Sequence, residues 1–384
     1  MKVLVAGPML TSALADATGI NLDGLPAATA QTPLAPLVKG LLDAGHTVEV
    51  VTLDPAIDRT VTFTRGGLTI TYCPLRSAPK YKARSRMGDL FAVEIQGICA
   101  VMKASDADVV HAHWTYEYAE AALRSGKPNL VTMHDLGWDY LFQFRDAYRF
   151  IRLIMKIRAT RRVKDISLVS SFMKPKLWQY GCRAEVDIVP NPIAYSDWHF
   201  KDTVAPKIVS IGNSNTIKNI QASVSALVFI RKIHPEAELH LFGPSLDEGS
   251  PLAHPSGVFG HGNVSHRDLM DFLRDEATLL IHPALLETFG VAVGEAKMRG
   301  VPAIAGRQAK GTIDVIGQAG RLVDVRSPQE IAAAALDILA DRDAYRKLQE
   351  SSHNDMVNRF SLLSITASYL EIYCRILRGA QANA

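Results

Sequence analysis

Short runs of apolar, mostly β-branched residues alternate with longer segments of helical periodicity along almost the whole chain. In the first half the predicted strands are Lys2–Ala6, Thr47–Leu53, Leu68–Cys73, Asp108–Ala112, Asn129–Met133, Ile166–Ser170 and Val186–Val189. Helical patterns such as Leu34–Asp43 and Asp89–Lys103 separate most of these strands. This alternation predicts a mainly parallel sheet with helices on both faces.

A proline-rich segment without periodicity, Pro190–Pro206, interrupts the pattern before a second alternation begins. The strands predicted there are Lys207–Ile211, Glu238–Phe242, Thr278–His282 and Pro302–Ala305, and the helices are Asn219–Ile233, Arg267–Arg274 and Val291–Arg299. We therefore predict an α/β protein of two doubly wound, Rossmann-like domains, residues 1–190 and 207–360, joined by a linker, residues 191–206. In such folds a ligand crevice lies where the strands end at their carboxyl ends.

Composition fits this picture without identifying a function. The chain has 384 residues, of which 48% are hydrophobic and 21% are charged, as in a globular protein of two domains. A net charge of +3 does not indicate nucleic acid, and we expect none as a partner. The four cysteines are far apart, and neither a secretory signal nor a long apolar segment is evident, so we expect a cytoplasmic protein.

The most informative segment is 282–306, which reads HPALLETFGVAVGEAKMRGVPAIAG. Glu287 lies in the loop after a predicted strand, and Glu295 lies in the helix that follows the loop. The backbone N–H groups at this helix N-terminus, which favour anions, are those of Phe289, Gly290 and Val291. Because carboxylates accept hydrogen bonds from sugar hydroxyls, a phosphorylated sugar suits the arrangement. The alternative is an ordinary helix opening capped by Glu287, with Glu295 on the surface.

This segment resembles the Glu-x7-Glu motif of glycosyltransferase family 4, a retaining family with the GT-B fold. The other motifs that resemble the family are, in order, DAGHTVEVVTL (43–53), DVVHAHW (108–114), VTMHD (131–135), VPNPI (189–193), SIGNSNTIKN (210–219), FGP (242–244), GHGNVSH (260–266) and RFSLLSITASYLEIY (359–373). The resemblance implies two Rossmann-like domains facing a central cleft. It also implies that a C-terminal helix within residues 361–384 crosses back to pack on the first domain.

The resemblance assigns roles to single residues. It implies that Glu287 contacts the donor hexose and that Glu295 binds the ribose of the nucleotide. Lys218 matches the lysine on the donor diphosphate, where a cation stabilises the charge of the leaving group. His113 matches the histidine that faces the reacting sugar, and we expect His134, at the end of the next strand, to bind the donor as well.

Each of these assignments has a plain structural alternative. Lys218 is then a surface lysine at the start of a helix, and His113 is a histidine of the core. For His111, inside the strand, the core interpretation is preferred. Asp106 and Asp108 resemble a metal-binding Asp-x-Asp motif, but they connect a helix to a strand and we interpret them as structural.

Three positions depart from the family pattern. Asn213, which we keep as a donor-binding candidate, follows Gly212 where the family commonly has an arginine. The double glycine of the first loop falls at Ala27–Ala28, and the usual Gly-Gly-x-Pro-Glu loop reads KGTID over residues 310–314. These differences bear on donor identity and catalytic strength more than on the fold.

The resulting hypothesis is a retaining transferase that moves a hexose from a UDP- or GDP-hexose to a glycan or lipid-linked acceptor in polysaccharide or glycolipid biosynthesis. The family needs no metal, and we expect no cofactor. Two alternatives stay open. One is a catalytically weak, nucleotide-sugar-binding partner subunit of a glycosyltransferase complex, and the other is a sugar-nucleotide epimerase of the same fold.

A basic segment adds a possible membrane partner. Residues 142–178 contain ten Lys and Arg but only two Asp. The spacing predicts one solvent-facing helical stripe of Arg145, Arg149, Arg152 and Lys156 beside an apolar stripe of Phe144, Tyr148, Ile151 and Met155. A second cluster comprises Arg76, Lys80, Lys82, Arg84 and Arg86. Such clusters bind anionic lipid, so we expect the protein on the inner face of the membrane, unless the segment is an ordinary solvated helix packed on the core.

Overall fold

The computed structural model of the protein describes residues 1–28, 33–76, 86–202, 205–213, 216–243 and 256–382. The chain divides into two compact units. The first unit contains Met1–Pro192 together with Leu362–Ala384, and the second contains Ile193–Ser361. Residues 193–206, which we predicted as a linker, are therefore part of the second unit.

The strands occupy the positions that the alternating pattern predicts, with bounds that differ by a residue or two. They are β1 (Lys2–Ala6), β2 (Thr47–Asp54), β3 (Val61–Arg65), β4 (Leu68–Pro74), β5 (Val109–His113), β6 (Asn129–Met133), β7 (Asp165–Leu168), β8 (Glu185–Ile188), β9 (Lys207–Ile211), β10 (Glu238–Phe242), β11 (Val258–Gly262), β12 (Leu279–His282), β13 (Ala303–Gly306) and β14 (Gly320–Val323). The sequence pattern missed β3, β11 and β14, which all lie at sheet edges and are less apolar than the central strands.

The helices lie between the strands and after the last of them. They are α1 (Thr11–Thr18), α2 (Leu34–Asp43), α3 (Ala92–Ala104), α4 (Glu117–Ser125), α5 (Gly137–Phe144), α6 (Ala147–Thr160), α7 (Ile220–Ile230), α8 (His266–Asp275), α9 (Val291–Met298), α10 (Thr312–Ile316), α11 (Pro328–Leu339), α12 (Arg342–Phe360) and α13 (Leu362–Ala382). A 3-10 helix, Ser171–Tyr180, follows β7. Within the described ranges no helix is long and apolar enough to cross a membrane.

The first unit is built on a sheet with the order β3-β4-β2-β1-β5-β6-β7-β8. All of its neighbouring strands pair in parallel except β3, which is antiparallel to β4. The hairpin between β3 and β4 turns at Gly66 and Gly67, whose φ angles of 54° and 82° suit glycine. The buried centre of the sheet confirms the predicted parallel α/β layout.

Helix α13 belongs to the core of the first unit, which confirms the expected return of the C-terminal helix. Its buried residues include Ile365, Tyr369 and Tyr373, which share one apolar cluster with residues of β1 and α2. The packing with α2 is close, because a Cβ on Gly40 would lie 2.1 Å from Thr366 Oγ1. Arg375 adds an ion pair at 2.6 Å with Asp187 of β8, in the same sheet. The C-terminal helix is thus an integral part of the first unit.

The second unit contains a parallel sheet with the order β11-β10-β9-β12-β13-β14. Its apolar cluster joins the central strands to α7 and α11, with Ile208, Leu239 and Ile281 among its buried members. Each unit therefore has its own doubly wound sheet and its own core, as the two alternations of the sequence predicted.

The predicted solvent-facing stripe of four cations is wrong. Arg145 ends α5 in a left-handed conformation, and Asp146 caps the separate helix α6 by accepting the backbone N–H of Arg149 at 2.8 Å. Arg152 makes an ion pair with Glu117, and Lys156 is fully buried against Asp135. The helical spacing was correct for α6, but tertiary contacts with carboxylates draw two of the four cations inward.

The second basic cluster lies only partly within the described residues. Arg76 makes bidentate hydrogen bonds to Asp89 at 2.8 and 2.9 Å and an ion pair with the buried Glu94 at 2.6 Å. Arg86 donates to the carbonyl oxygen of Arg76 at 3.1 Å. Lys80, Lys82 and Arg84 lie outside the described residues.

Candidate active site

Two neighbouring strands of the second unit bring Lys218 and Glu287 together. Lys218 follows β9 and Glu287 follows β12, and these parallel strands end at the same edge of the sheet. The backbone N–H of Leu285 donates to the carbonyl oxygen of Ile217 at 2.8 Å, and the Asn219 amide donates to that of Pro283 at 3.1 Å. These bonds hold the two loops side by side, and Lys218 Nζ donates to Glu287 Oε2 at 2.9 Å.

The Glu287 carboxylate is held in its ionised form. Its side chain is only 17% exposed, and burial alone would raise the pKa of the carboxyl group. The neighbouring His282 imidazole and the Lys218 ammonium outweigh burial, so the pKa lies below its ordinary value. Oε1 also accepts the backbone N–H of Thr288 at 3.2 Å. Glu287 is thus prepared to accept hydrogen bonds from hydroxyl groups.

His282 is a site residue that our sequence interpretation did not name. It ends β12, is 2% exposed, and its Nε2 lies 3.5 Å from Glu287 Oε2. Among the described residues, Nδ1 has no hydrogen-bond partner, and Nε2 has only this long contact with Glu287. A buried imidazole with so few polar contacts is costly and so points to a ligand or to a function beside Glu287. The available signal was its position, because it opens the segment that contains both glutamates.

The KGTID loop, residues 310–314, packs against the backbone of Glu287. The N–H of Gly311 donates to the carbonyl oxygen of Glu287 at 3.1 Å. A Cβ on Gly311 would lie 2.2 Å from the carbonyl carbon of Thr288, so a larger residue does not fit there. Gly290 precedes α9 with φ 93°, a conformation that favours glycine, and it turns the chain into the helix. The loop differs from the family pattern in sequence but retains the glycine that this contact requires.

Glu295 and the N-terminus of α9 form a second part of this site. Glu295 lies in α9, and its Oε1 is 2.8 Å from His266 Nε2 at the start of α8. Phe289 is 2% exposed and packs edge-to-face on Phe360, so only its backbone remains as a candidate for anion binding. The first turn of α9, from Val291, leaves N–H groups without partners inside the helix. The two glutamates therefore have different partners, Lys218 for Glu287 and His266 for Glu295, and their two roles stay predictions.

Asn213 lies at the carboxyl end of β9, on the same strand end that leads to Lys218. It is exposed and directly follows Gly212. The neighbouring Gly243, after β10, packs so closely that a Cβ there would lie 2.0 Å from the carbonyl oxygen of Gly212. A side chain at position 243 therefore does not fit against the end of β9.

His113 and His134 form a hydrogen-bonded pair in the first unit. His113 ends β5 and His134 directly follows β6, with His113 Nδ1 2.9 Å from His134 Nε2. Burial lowers the pKa of His134 to about 3 and that of His113 well below its ordinary value, so both rings are neutral. One ring therefore donates and the other accepts. Among the described residues, His113 Nε2 has no hydrogen-bond partner.

The surroundings of this pair separate structural from candidate functional residues. His111 contacts the Tyr373 hydroxyl and Thr132 Oγ1, each at 2.6 Å, which confirms it as a core histidine. Trp114, with φ 65°, stacks on His134 with ring centroids 4.2 Å apart. A tryptophan in this left-handed conformation is strained, and such strain is typical of functional sites.

Two further sequence features have structural explanations. Ala28, at one position of the family's double glycine, has φ 57°, and its N–H donates to Asp54 Oδ2 at 2.7 Å. This alanine keeps a conformation that glycine would adopt without strain. Asp106 makes an ion pair with Lys2, and Asp108 accepts the backbone N–H of Lys2 at 2.7 Å, which confirms the structural interpretation of both aspartates.

Comparisons with known proteins agree with both the fold and the motifs. The family model Glycosyltransferase Family 4 matches residues 34–196, and the model Glycosyl transferases group 1 matches residues 196–355. An uncharacterised glycosyltransferase of Bacillus subtilis, YqgM, is 24% identical over 290 residues, 71% of this chain and 79% of that protein.

Solved structures share the fold over the whole chain. Sucrose-phosphate synthase from Thermosynechococcus elongatus has a TM-score of 0.77 at 18% identity, covering 99% of this chain and 100% of that one. HepE from Anabaena, solved with UDP and glucose, has a TM-score of 0.66 at 15% identity, covering 98% and 100%. Two Rossmann-like domains with these motifs define a glycosyltransferase with the GT-B fold. The chain belongs to glycosyltransferase family 4 and is a nucleotide-sugar-dependent enzyme.

Proposed function

We propose that the enzyme transfers a hexose from a UDP- or GDP-hexose to a glycan or lipid-linked acceptor in polysaccharide or glycolipid biosynthesis, with retention of configuration. The proposal includes no metal and no cofactor. The observation that carries it is the Lys218–Glu287 pair, 2.9 Å apart at the end of a parallel sheet and close to the start of α9. A cation for the diphosphate and a carboxylate for the sugar hydroxyls are the groups that a nucleotide sugar needs.

The chemistry that we propose is the mechanism usual in the family. The acceptor hydroxyl attacks the anomeric carbon from the face that the diphosphate leaves, forming one C–O bond as the other breaks. Its proton passes to a phosphate oxygen of the leaving nucleoside diphosphate, so no protein nucleophile is involved. Lys218 and the N-terminus of α9 stabilise the developing negative charge. Glu287 accepts hydroxyl hydrogen bonds from the sugar, and Glu295 those from the ribose.

Similar structures favour UDP-glucose as the first donor to test. HepE has been solved in complex with UDP and glucose and in complex with UDP-glucose. The protein is therefore incubated with UDP-, GDP- and ADP-hexoses, and release of the nucleoside diphosphate is measured with and without glycan or lipid-linked acceptors. Retention is read from the anomeric coupling constant of the product by NMR. Turnover with inversion, or conversion of the donor into its epimer, would contradict the proposal.

The alternative of a weakly active partner subunit makes an opposite prediction. It rests on Asn213 and on Ala27–Ala28, and in that case tight donor binding occurs without turnover. Restoring the family residues with Asn213→Arg, Ala27→Gly and Ala28→Gly would then create activity. If the unmodified chain turns over its donor, the partner-subunit hypothesis is rejected.

For the acceptor side, we propose docking on an anionic membrane through the α5–α6 region. Phe142 is 66% exposed and Phe150 is 53% exposed, and both line one shallow depression with Arg145. Trp178, in the 3-10 helix after β7, is 76% exposed. Exposed aromatic rings beside cations are the groups that bind an anionic interface. This proposal replaces the four-cation stripe with residues that do reach solvent.

Vesicle flotation tests the membrane proposal. Phe142→Ala, Phe150→Ala and Arg145→Glu together should release the protein from vesicles containing anionic lipid, and Val228→Ala, an equally exposed apolar position in the second unit, should not. The electrostatic contribution to vesicle binding should weaken as the salt concentration rises. Salt screens the attraction between the cations and the anionic lipid, and the Debye length falls to about 10 Å at 0.1 M. Absence of binding by the unmodified protein at low salt would favour a soluble acceptor.

A further inference from the structure

Lys156 of α6 is a buried cation with a complete set of partners. Its side chain is 0% exposed. Its ammonium group donates to Thr115 Oγ1 at 2.6 Å, to the carbonyl oxygen of Asp135 at 3.0 Å and to Asp135 Oδ1 at 2.5 Å. A buried ammonium is costly unless it is paired and fully hydrogen-bonded. Lys156 meets both conditions, which raises the question of what this arrangement holds in place.

The partners of Lys156 lie on the two loops that follow the histidine-bearing strands. Thr115 is two residues after His113, at the end of β5, and Asp135 is the residue after His134, at the end of β6. The Tyr116 hydroxyl donates to Asp135 Oδ2 at 2.7 Å and closes a second link between the same two loops. One ammonium group therefore joins the two strand ends that present His113 and His134.

We propose that Lys156 is a positioning residue that holds these strand ends together, so that His113 and His134 keep their hydrogen bond and the orientation of their rings. The expected effect on turnover rests on the proposed function and on the sugar-facing role that the family resemblance implies for His113. The link itself rests on the contacts of Lys156 with Thr115 and Asp135. It is independent of any contact between Lys156 and a substrate.

Lys156 also balances the charge beside the histidines. The charged and titratable groups that act on the buried pair are His111, Asp135 and Lys156. Asp135 alone would favour a protonated His134, and the Lys156 ammonium opposes it. With both present, burial dominates and the His134 ring is neutral. Removal of Lys156 alone should therefore raise the pKa of His134.

The test separates positioning from simple charge compensation. Lys156→Met leaves the buried Asp135 carboxylate without its ammonium and is expected to lower Tm. Adding Asp135→Asn removes that charge and should restore much of the lost stability, because both ionic partners are then neutral. The double variant still lacks the ammonium bridge to Thr115 and to the carbonyl oxygen of Asp135. The matched control is Arg162→Met with Glu120→Gln, which removes an ion pair between α4 and the end of α6 without touching either strand end.

Two measurements decide the outcome. The first is the ¹⁵N NMR spectrum of the His113 and His134 ring nitrogens, assigned with His→Gln variants. The second is donor turnover. In the double variant we expect altered tautomer signals and a kcat lower by about 10²-fold, the effect of a misplacement of about 1 Å, with nucleoside diphosphate affinity unchanged. The control should keep both the spectra and kcat of the unmodified protein.

Each contrary result has a distinct meaning. If the double variant regains Tm and also keeps the histidine spectra and kcat, Lys156 is only a structural counter-charge and the inference is wrong. If the unmodified protein turns over no nucleotide sugar at all, the proposed function fails instead. The ring-nitrogen spectra still decide the role of Lys156 in that case, because they do not depend on turnover.

Discussion

At the scale of single residues, the pair of Lys218 and Glu287 is the centre of the candidate site in the second unit. Two opposite charges lie 2.9 Å apart beside His282, whose Nδ1 has no partner among the described residues and whose Nε2 lies 3.5 Å from Glu287 Oε2. When a donor binds, the diphosphate can take the place of Glu287 as the partner of Lys218. A sugar hydroxyl can likewise take the place of Lys218 as the partner of Glu287. Substitutions of the candidate residues in this unit are therefore expected to change binding and catalysis in different ways.

Alanine substitutions at Glu287 and at Glu295 are expected to impair different steps, sugar transfer in the first case and nucleotide binding in the second. Glu287→Ala should abolish transfer and leave nucleoside diphosphate affinity within a few fold, because its predicted partner is the hexose. Glu295→Ala should weaken nucleotide binding itself, because its predicted partner is the ribose. Calorimetric titration with the nucleoside diphosphate and initial rates of transfer measure the two effects. Equal behaviour of both variants would show that the roles are misassigned.

Lys218→Ala should lower kcat/KM by about 10²–10³-fold, the typical loss when one charge-stabilising donor is removed from a transition state. Asn213 supplies no charge where the family commonly has an arginine, so the dependence on Lys218 should be strong. Lys232→Ala, at a lysine that lies over the ring of Phe229 in the same unit, is the matched control and should have little effect. A loss below about tenfold would mean that another group holds the phosphates.

The ionised state of Glu287 predicts how the stability of the second unit changes with pH. Its pKa in the folded protein lies below the ordinary value of 4.5, so the folded state favours the carboxylate. The resulting stabilisation is fully present above the unfolded-state pKa and is lost as pH falls through the folded-state pKa. The Tm difference between the unmodified protein and Glu287→Gln should therefore be constant near neutral pH. It should become smaller as the pH falls below the ordinary pKa of a glutamate. A difference that widens on acidification would contradict this.

At the scale of elements, loops at strand ends place the candidate residues, and helices hold those loops. The KGTID loop carries Gly311, which fits against the backbone of Glu287 and Thr288. In the first unit, Lys156 of α6 links the loops after β5 and β6. Both devices act through backbone position, so they are sensitive to changes that leave the candidate catalytic side chains intact.

Gly311→Ala should displace the loop that carries Glu287. The added Cβ would lie 2.2 Å from the carbonyl carbon of Thr288 and 2.5 Å from the carbonyl oxygen of Glu287, so backbone must move. We expect a drop in kcat of about 10²-fold together with a lower Tm. Gly97→Ala is the control, because a Cβ there meets nothing within 4 Å, and in helix α3 it should stabilise by up to about 1 kcal/mol. Normal activity of Gly311→Ala would show that Glu287 tolerates a shifted loop.

At the scale of the whole molecule, the chain ends in the unit where it began. Helix α13 buries Ile365, Tyr369, Ile372 and Tyr373 in the core of the first unit and ties Tyr373 to His111 at 2.6 Å. The two units have separate cores, so damage to α13 is expected to act on one of them.

Removing residues 362–384 should therefore destabilise the first unit selectively. Each large apolar side chain that loses its burial costs about 1.5–3 kcal/mol, and several are lost at once. Differential scanning calorimetry should show one transition shifted down or missing and the other close to its original Tm. A milder change, Tyr373→Phe, removes only the hydroxyl contact and should cost about 0.5–1.5 kcal/mol. Equal loss of both transitions on truncation would contradict independent cores.

Sequence alone determined the two parallel α/β domains, because buried parallel strands are continuous apolar runs that differ clearly from amphipathic helices. Through the resemblance of its motifs to the family, it also gave Lys218, Glu287 and Glu295 as candidates, whose roles stay predictions. The edge strands β3, β11 and β14 were not predicted, because most of their residues are partly exposed and they lack a continuous apolar run. The apolar pattern along the sequence predicts a strand clearly only where the strand is buried along its whole length.

Tertiary structure decided which side chains meet. The spacing of Arg152 and Lys156 is that of a solvated stripe, and only the carboxylates of α4 and of the loop after β6 reveal that both point inward. The sequence pattern also does not show the buried His282 imidazole beside Glu287, or the left-handed conformation of Ala28 at a position where the family has a glycine. Sequence pattern reports the preference of each residue for water or for the core. Contacts between residues distant in the chain depend on the packing of the whole domain, so only the folded structure shows them.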